Sequence, residues 1–227
     1  MLLITHGQAV IHPLVLAALN GEVFLWLLVV VIAVALVTWM VCAHNTKVNR
    51  AWSSAAETMG ISHRASGVFS FHLMEGVVAG FHVKVDTDKK SSSGSSGGTS
   101  FRISFPASLQ LGLSISPEIP WVSKLGKKYF GTQDVTTGDE AFDSIFVIKG
   151  NNPEEVLDFL TDQRRQQLVE LQGRQKRYDF IHVSDTEISL LSKHILTETT
   201  ALVELVGDMT RIAFLLADQT VGTSDRH

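Results

Sequence analysis

The chain has 227 residues, 45% of them apolar, with 19 Lys and Arg against 23 Asp and Glu, one cysteine and a mean hydropathy of +0.18. That composition excludes a disordered tail and an ordinary soluble enzyme. The apolar excess is uneven: residues 1–43 contain no Lys or Arg and a single acid, Glu22, so residues 44–227 carry every basic residue and all the other acids. A span of that size buries about 70% of its unfolded surface, which needs neither disulfides nor metal.

Val23 to Ala43 reads VFLWLLVVVIAVALVTWMVCA without a charge. At about 1.5 Å per residue it covers the roughly 30 Å of a bilayer's hydrocarbon, so a transmembrane helix is predicted over 23–43, with Trp26 and Trp39 near the headgroup layers. A cleaved signal peptide fits less well, because the run is long and nothing basic precedes it. Cys42 lacks the small residue before it that a lipidated cysteine requires, and reads as an apolar helix residue. Lys47 and Arg50 follow the span, while His6, His12 and Glu22 precede it. The positive-inside bias therefore places residues 1–22 outside as a short tail and the rest in the cytoplasm of a bacterial inner membrane.

Val41, Val48, Trp52, Ala55 and Met59 recur at helical spacing, which predicts a juxtamembrane helix over 44–60 ending at Gly60. The spacing then turns to alternation, and a turn at Ala79-Gly80 sets Val78, Gly76 and Met74 against Phe81, Val83 and Val85, with Glu75 across from Lys84. A turn at Glu75-Gly76 would mix the two faces. Residues 88–100, rich in Ser and Gly, read as a flexible loop. Phe101 to Phe105 and Leu109 to Ile115 alternate as two more strands, completing a four-strand antiparallel meander.

Further on, a short helix is expected around Pro120 to Tyr129, a polar turn over 132–143 and a buried strand over 144–149. Asn152 caps a helix with Pro153 in its first turn and Val156, Leu157, Phe159 and Leu160 inward. Thr161-Asp162 opens a second helix through Leu171, with Arg164 and Arg165 outside. A hairpin turning at Asp185-Thr186 sets Val183 against Ile188 and Ile181 against Leu190. The last helix, 197–217, turns Leu202, Leu205, Val206, Met209, Ile212, Ala213 and Leu216 to one face, and residues 218–227 form a polar tail. The fold class is α+β: an N-terminal transmembrane helix, then a domain over 61–217 of antiparallel hairpins with covering helices.

Trp52, Gly76 and Gly80 with Val83 and Val85, the Gly138-Asp139-x-x-Phe142-Asp143 segment before Phe146-Val147-Ile148, and Leu160-Thr161 with Arg164-Arg165 carry a family resemblance. In order over residues 50–217, the chain resembles uncharacterised bacterial single-span inner-membrane proteins with a cytoplasmic α+β domain. The resemblance implies an architecture and a membrane setting and brings no catalytic residue.

Asp134, Asp139, Glu140 and Asp143 are the densest acid cluster. They offer oxygen ligands for a hard cation, but the spacing is not that of an EF-hand, and Asp139 after Gly138 more simply caps a helical turn with Phe142 packing inward. The nine histidines include no His-x-x-x-His pair; His72, His82 and His182 alternate within strands. Gly112-Leu113-Ser114-Ile115-Ser116 lacks the last glycine of a nucleophile elbow. Gly94, Gly97 and Gly98 lack the lysine of a phosphate-binding loop. The basic groups are Lys124, Lys127 and Lys128, Arg164 and Arg165, and Arg174, Lys176 and Arg177; net negative charge disfavours nucleic acid. The expectation is a membrane-anchored interaction or scaffolding module whose partners are the lipid bilayer and either a membrane protein or a second copy. No catalytic residue, cofactor or metal is expected. Two other readings remain open: a membrane-bound enzyme using Asp139, Asp143 and a distant His182, and an anionic-lipid-binding module using the basic groups.

Overall fold

The structure is a computed structural model describing residues 21–66, 71–88, 98–117, 133–174 and 178–218. Helix α1 runs over Gly21–Met59 and, among the described residues, is the one helix long and apolar enough to cross a membrane. Every residue from Leu25 to His44 on it is exposed. The chain divides into two compact units between Thr46 and Lys47.

In the second unit α1 contributes Val48, Trp52 and Ala55 to the core, and Met59 packs against it. The predicted stripe therefore holds from Val48 onward, whereas Val41 belongs to the first unit and is exposed. Gly60 ends the helix at a φ of +68°, where Ile61 N–H donates to the Ala56 carbonyl (2.9 Å) and Gly60 N–H to that of Glu57 (3.1 Å). Such a closure favours glycine, which pays no Cβ penalty in the left-handed region.

The strands are β1 (Ser62–Ser66), β2 (Phe71–Val78), β3 (Phe81–Asp88), β4 (Gly98–Ser104), β5 (Ser114–Pro117), β6 (Gln133–Val135), β7 (Phe146–Gly150), β8 (Tyr178–Ser184) and β9 (Glu187–Ser192). Between and after them lie α2 (Glu140–Asp143), α3 (Pro153–Phe159), α4 (Asp162–Arg174) and α5 (Thr199–Ala217). The strands form one sheet in the order β1-β2-β3-β4-β9-β8-β5-β7-β6, with every neighbouring pair antiparallel. The α+β class read from the sequence is what the chain adopts.

Both hairpin registers match the expectation: Val78 faces Phe81, Gly76 faces Val83 and Met74 faces Val85, while Val183 faces Ile188 and Ile181 faces Leu190. The first turn places Ala79 at φ +50° and Gly80 at φ +87°, the two left-handed residues of the turn that suits strand twist. Glu75 lies across from Lys84 as expected, but its carboxylate pairs diagonally with His82 Nε2 at 3.3 Å.

The meander is different. Strands β1 to β4 are the consecutive four, β1 being a polar edge strand whose sequence, Ser-His-Arg-Ala-Ser, shows no apolar alternation. Residues 98–100 belong to β4 rather than to the loop; Gly98 is small because a Cβ there would stand 2.1 Å from the Ser192 carbonyl oxygen. The predicted strand Leu109–Ile115 shrinks to Ser114–Pro117 and pairs with β7 and β8, leaving β4 to pair with β9. Leu109 and Leu113 are buried by an irregular segment, since Gln110 (φ +60°) and Gly112 (φ +63°) interrupt an extended run.

The helices cover the sheet's apolar face. Asn152 caps α3 through its side-chain acceptor for Glu154 N–H, with Pro153 opening the helix; Val156 and Leu160 are buried, but Leu157 is exposed, correcting its inward assignment. The seven residues assigned to the inner face of α5 are all buried. The expected helix at 120–129, most of the Ser/Gly loop and the tail beyond Asp218 lie outside the described residues.

Candidate functional site

The acidic segment closes on itself. Asp139 Oδ1 accepts N–H donors from Ala141 (3.1 Å) and Phe142 (3.2 Å), so Asp139 caps α2, and Phe142 is fully buried against the Phe146 ring at 5.0 Å. Asp143 accepts from Thr137 N–H (3.1 Å), Thr137 Oγ1 (2.8 Å) and Gly138 N–H (3.0 Å). Asp139 thus caps α2 as expected, and Asp143 accepts from the local backbone of Thr137 and Gly138. Glu140 is exposed, and the Asp134 side chain lies outside the description. Among the described residues no group of three or more His, Cys, Asp or Glu is placed to hold a metal ion.

Arg164 and Arg165 do not face solvent, which corrects their expected outward placement. Arg164 is 5% exposed; its guanidinium lies 4.3 Å over the Phe159 ring and donates to the carbonyls of Phe159 (2.6 Å), Leu215 (3.0 Å) and Asp218 (2.5 Å). It ties the end of α3 to the end of α5 by satisfying carbonyls that helix ends leave unpaired. Desolvation lowers its pKa, and the Asp218 charge acts the other way. Arg165 donates to the Leu160 carbonyl (2.5 Å), to Asp139 Oδ2 (3.3 Å) and to Asp162. Sequence reasoning placed these arginines on a polar helix face because the carbonyls that draw them in come from Phe159, Leu160, Leu215 and Asp218, two of them some fifty residues away. Lys124, Lys127, Lys128, Lys176, Arg177 and the Arg174 side chain lie outside the described residues.

The histidines separate. His182 Nε2 is 3.4 Å from Ser114 Oγ on the half-exposed face of the sheet, while the partners of Asp139 and Asp143 are those of the α2 corner. His82 is exposed beside Glu75. His72, by contrast, is buried at 2% exposure on the core face, a burial that its place in an alternating strand did not by itself reveal.

His72 begins a buried polar row that crosses the sheet. Its backbone N–H donates to Thr87 Oγ1 (3.0 Å); Thr87 is the register partner of Thr99, and Thr99 that of Ser192. Thr99 Oγ1 donates to the His194 carbonyl (3.0 Å) and accepts Leu196 N–H (3.0 Å), and Ser192 Oγ also donates to the His194 carbonyl (3.0 Å). The same loop holds α1: Trp52 Nε1 donates to the Leu196 carbonyl (2.8 Å), and Thr199 Oγ1 to that of Ala51 (3.3 Å). At the other end of the row, His72 Nδ1 and His63 Nε2 are buried without a hydrogen-bond partner. Their rings lie 5.7 Å apart, 9° from parallel, and the Trp52 indole is 5.4 Å from His72. Burial lowers the pKa of both histidines below the ordinary value, and the His63 charge lowers that of His72 further.

No protein-family model matches the chain, and comparison with curated proteins gives no significant match. Among solved structures, the chain is similar in path to the mycobacterial trehalose monomycolate transport factor A, TtfA, at 8% identity and a TM-score of 0.46, over 75% of this chain and 93% of that one. At that level of similarity no residue role passes from one protein to the other.

Proposed function

We propose that the chain is a single-span membrane-anchored protein whose α+β unit stands in the cytoplasm as a non-catalytic interaction module. The observation carrying this reading is α1: its apolar side chains from Leu25 to Val41 are exposed in the folded chain, Trp26 at 68% and Trp39 at 71% among them, and a lipid bilayer is the surrounding that removes that surface from water. The charge asymmetry about the span, with Lys47 and Arg50 on one side and no basic residue on the other, supports the orientation. The interaction role is supported by the polar groups that carried alternative chemistry: Asp139, Asp143, Arg164 and Arg165 are engaged in caps and interhelical ties. An anchor also raises the local concentration of any membrane partner.

Protease added to inverted inner-membrane vesicles is expected to remove the α+β unit, with protection in intact spheroplasts. Digestion in spheroplasts alone reverses the orientation, and recovery of the full chain in a detergent-free high-speed supernatant overturns the anchor. Crosslinking in membranes is expected to trap a protein neighbour or a second copy of the chain; repeated absence of both overturns the interaction role.

A further inference from the structure

The polar row ends on two histidines whose ring nitrogens, one on each, are sealed from water and unpaired. A neutral imidazole tolerates such a site poorly, and an imidazolium much less, because desolvation penalises charge more than a dipole. Two imidazolium rings at 5.7 Å would also repel each other. On α1, Trp52 stands against His72, while Arg50 and Glu57 are exposed. On β1, Arg64 is exposed; on β3, Thr87 meets His72, and the neighbouring Asp86 pairs with Arg102. In the loop after β9, Lys193, His194 and Glu198 have exposed side chains. Among these described side chains no carboxylate stands against the pair to hold a proton there.

We propose that His63 and His72 form a proton-operated latch beneath Trp52: with both rings neutral the base of α1, residues 47–59, lies on the sheet, and protonation drives it off. The sign follows from linkage. In the released state the rings meet water and titrate near 6.5, whereas in the closed state they resist protonation, so closure is fully favoured above about pH 6.5 and lost as pH falls below it. Each histidine shifts the closed-to-released ratio by up to about tenfold per pH unit in that window. The segment released also carries Trp52 away from the Leu196 carbonyl, so the whole α1–loop contact is coupled to the pair.

The test uses the full chain in detergent micelles with Trp26, Trp39 and Trp121 replaced by Phe, leaving Trp52 as the fluorophore. Between about pH 7.5 and pH 5, its emission is expected to shift to the red and its acrylamide quenching to rise, reversibly, below about pH 6.5. His63→Phe and His72→Phe keep an aromatic ring but no proton site; each is expected to weaken the transition, and the pair to abolish it, while His82→Phe leaves it unchanged. A transition that survives in the double variant, or no change in the unsubstituted histidine background down to about pH 5, overturns the latch. Should the double variant fail to fold, NMR of the histidine-intact chain decides: the His63 and His72 ring protons are expected to titrate with the Trp52 midpoint, and separate midpoints overturn it.

Discussion

Asp185, at the tip of the β8–β9 hairpin, accepts the backbone N–H of Gly112 at 2.8 Å, and the same carboxylate accepts those of Leu111 (3.2 Å) and Leu113 (2.8 Å). Three consecutive amides converge on one anion, a concave arrangement that backbone in the left-handed region makes available. The segment that alternation assigns to a strand is therefore held as an irregular crossing, and its amides are paired without a ladder.

Asp185→Ala is expected to destabilise the chain by about 2–4 kcal/mol, because it strands three partly buried donors. Asp185→Asn should fall between, since Oδ1 alone serves Leu111 and Leu113 while Gly112 loses its acceptor. Urea unfolding of the detergent-solubilised protein measures both; a variant with unchanged midpoint would show that water replaces the carboxylate without loss.

Arg164 joins two helix ends through three carbonyls and one aromatic face, a geometry that needs a planar fork. Arg164→Lys is expected to fail to restore more than part of the stability lost in Arg164→Ala, which should reach about 3–5 kcal/mol. Thermal unfolding should register the alanine variant as a fall of about 6–20 °C in Tm.

Asp139→Ala removes the cap of α2 and the Arg165 ion pair together, for an expected loss of about 1–2 kcal/mol. Calcium or magnesium should leave the Tm of the unsubstituted protein unchanged. A cation-dependent rise in Tm that Asp139→Ala abolishes would instead make the corner a metal site.

Ala79 sits at φ +50° in the β2–β3 turn, a conformation costing an L-residue about 1–2 kcal/mol. Ala79→Asn is expected to raise stability by about 0.5–1 kcal/mol and Ala79→Gly by less, because glycine also loosens the unfolded chain. Hydrogen exchange of the β2 and β3 amides would locate the gain.

The sequence by itself determined whatever local physics decides. The uncharged apolar run lies, as its length and composition predict, in a helix long and apolar enough to cross a membrane. Gly60, Asn152 and Asp139 end or begin helices through their own backbone and side-chain geometry, and both hairpin registers follow from a period of two, joined at Ala79-Gly80 to turn stereochemistry. Tertiary structure alone decided how strands that no hairpin joins lie side by side, because alternating segments are interchangeable until the rest of the chain fixes their neighbours: β4 pairs with β9 across more than eighty residues, while Asp185 holds the amides before β5. It also decided the fate of the polar side chains. Arg164 reads as a surface residue until the ends of α3 and α5 bring their carbonyls to it, and His72 reads as one of three strand histidines until α1 folds Trp52 over it, since burial is set by what the rest of the chain lays on top.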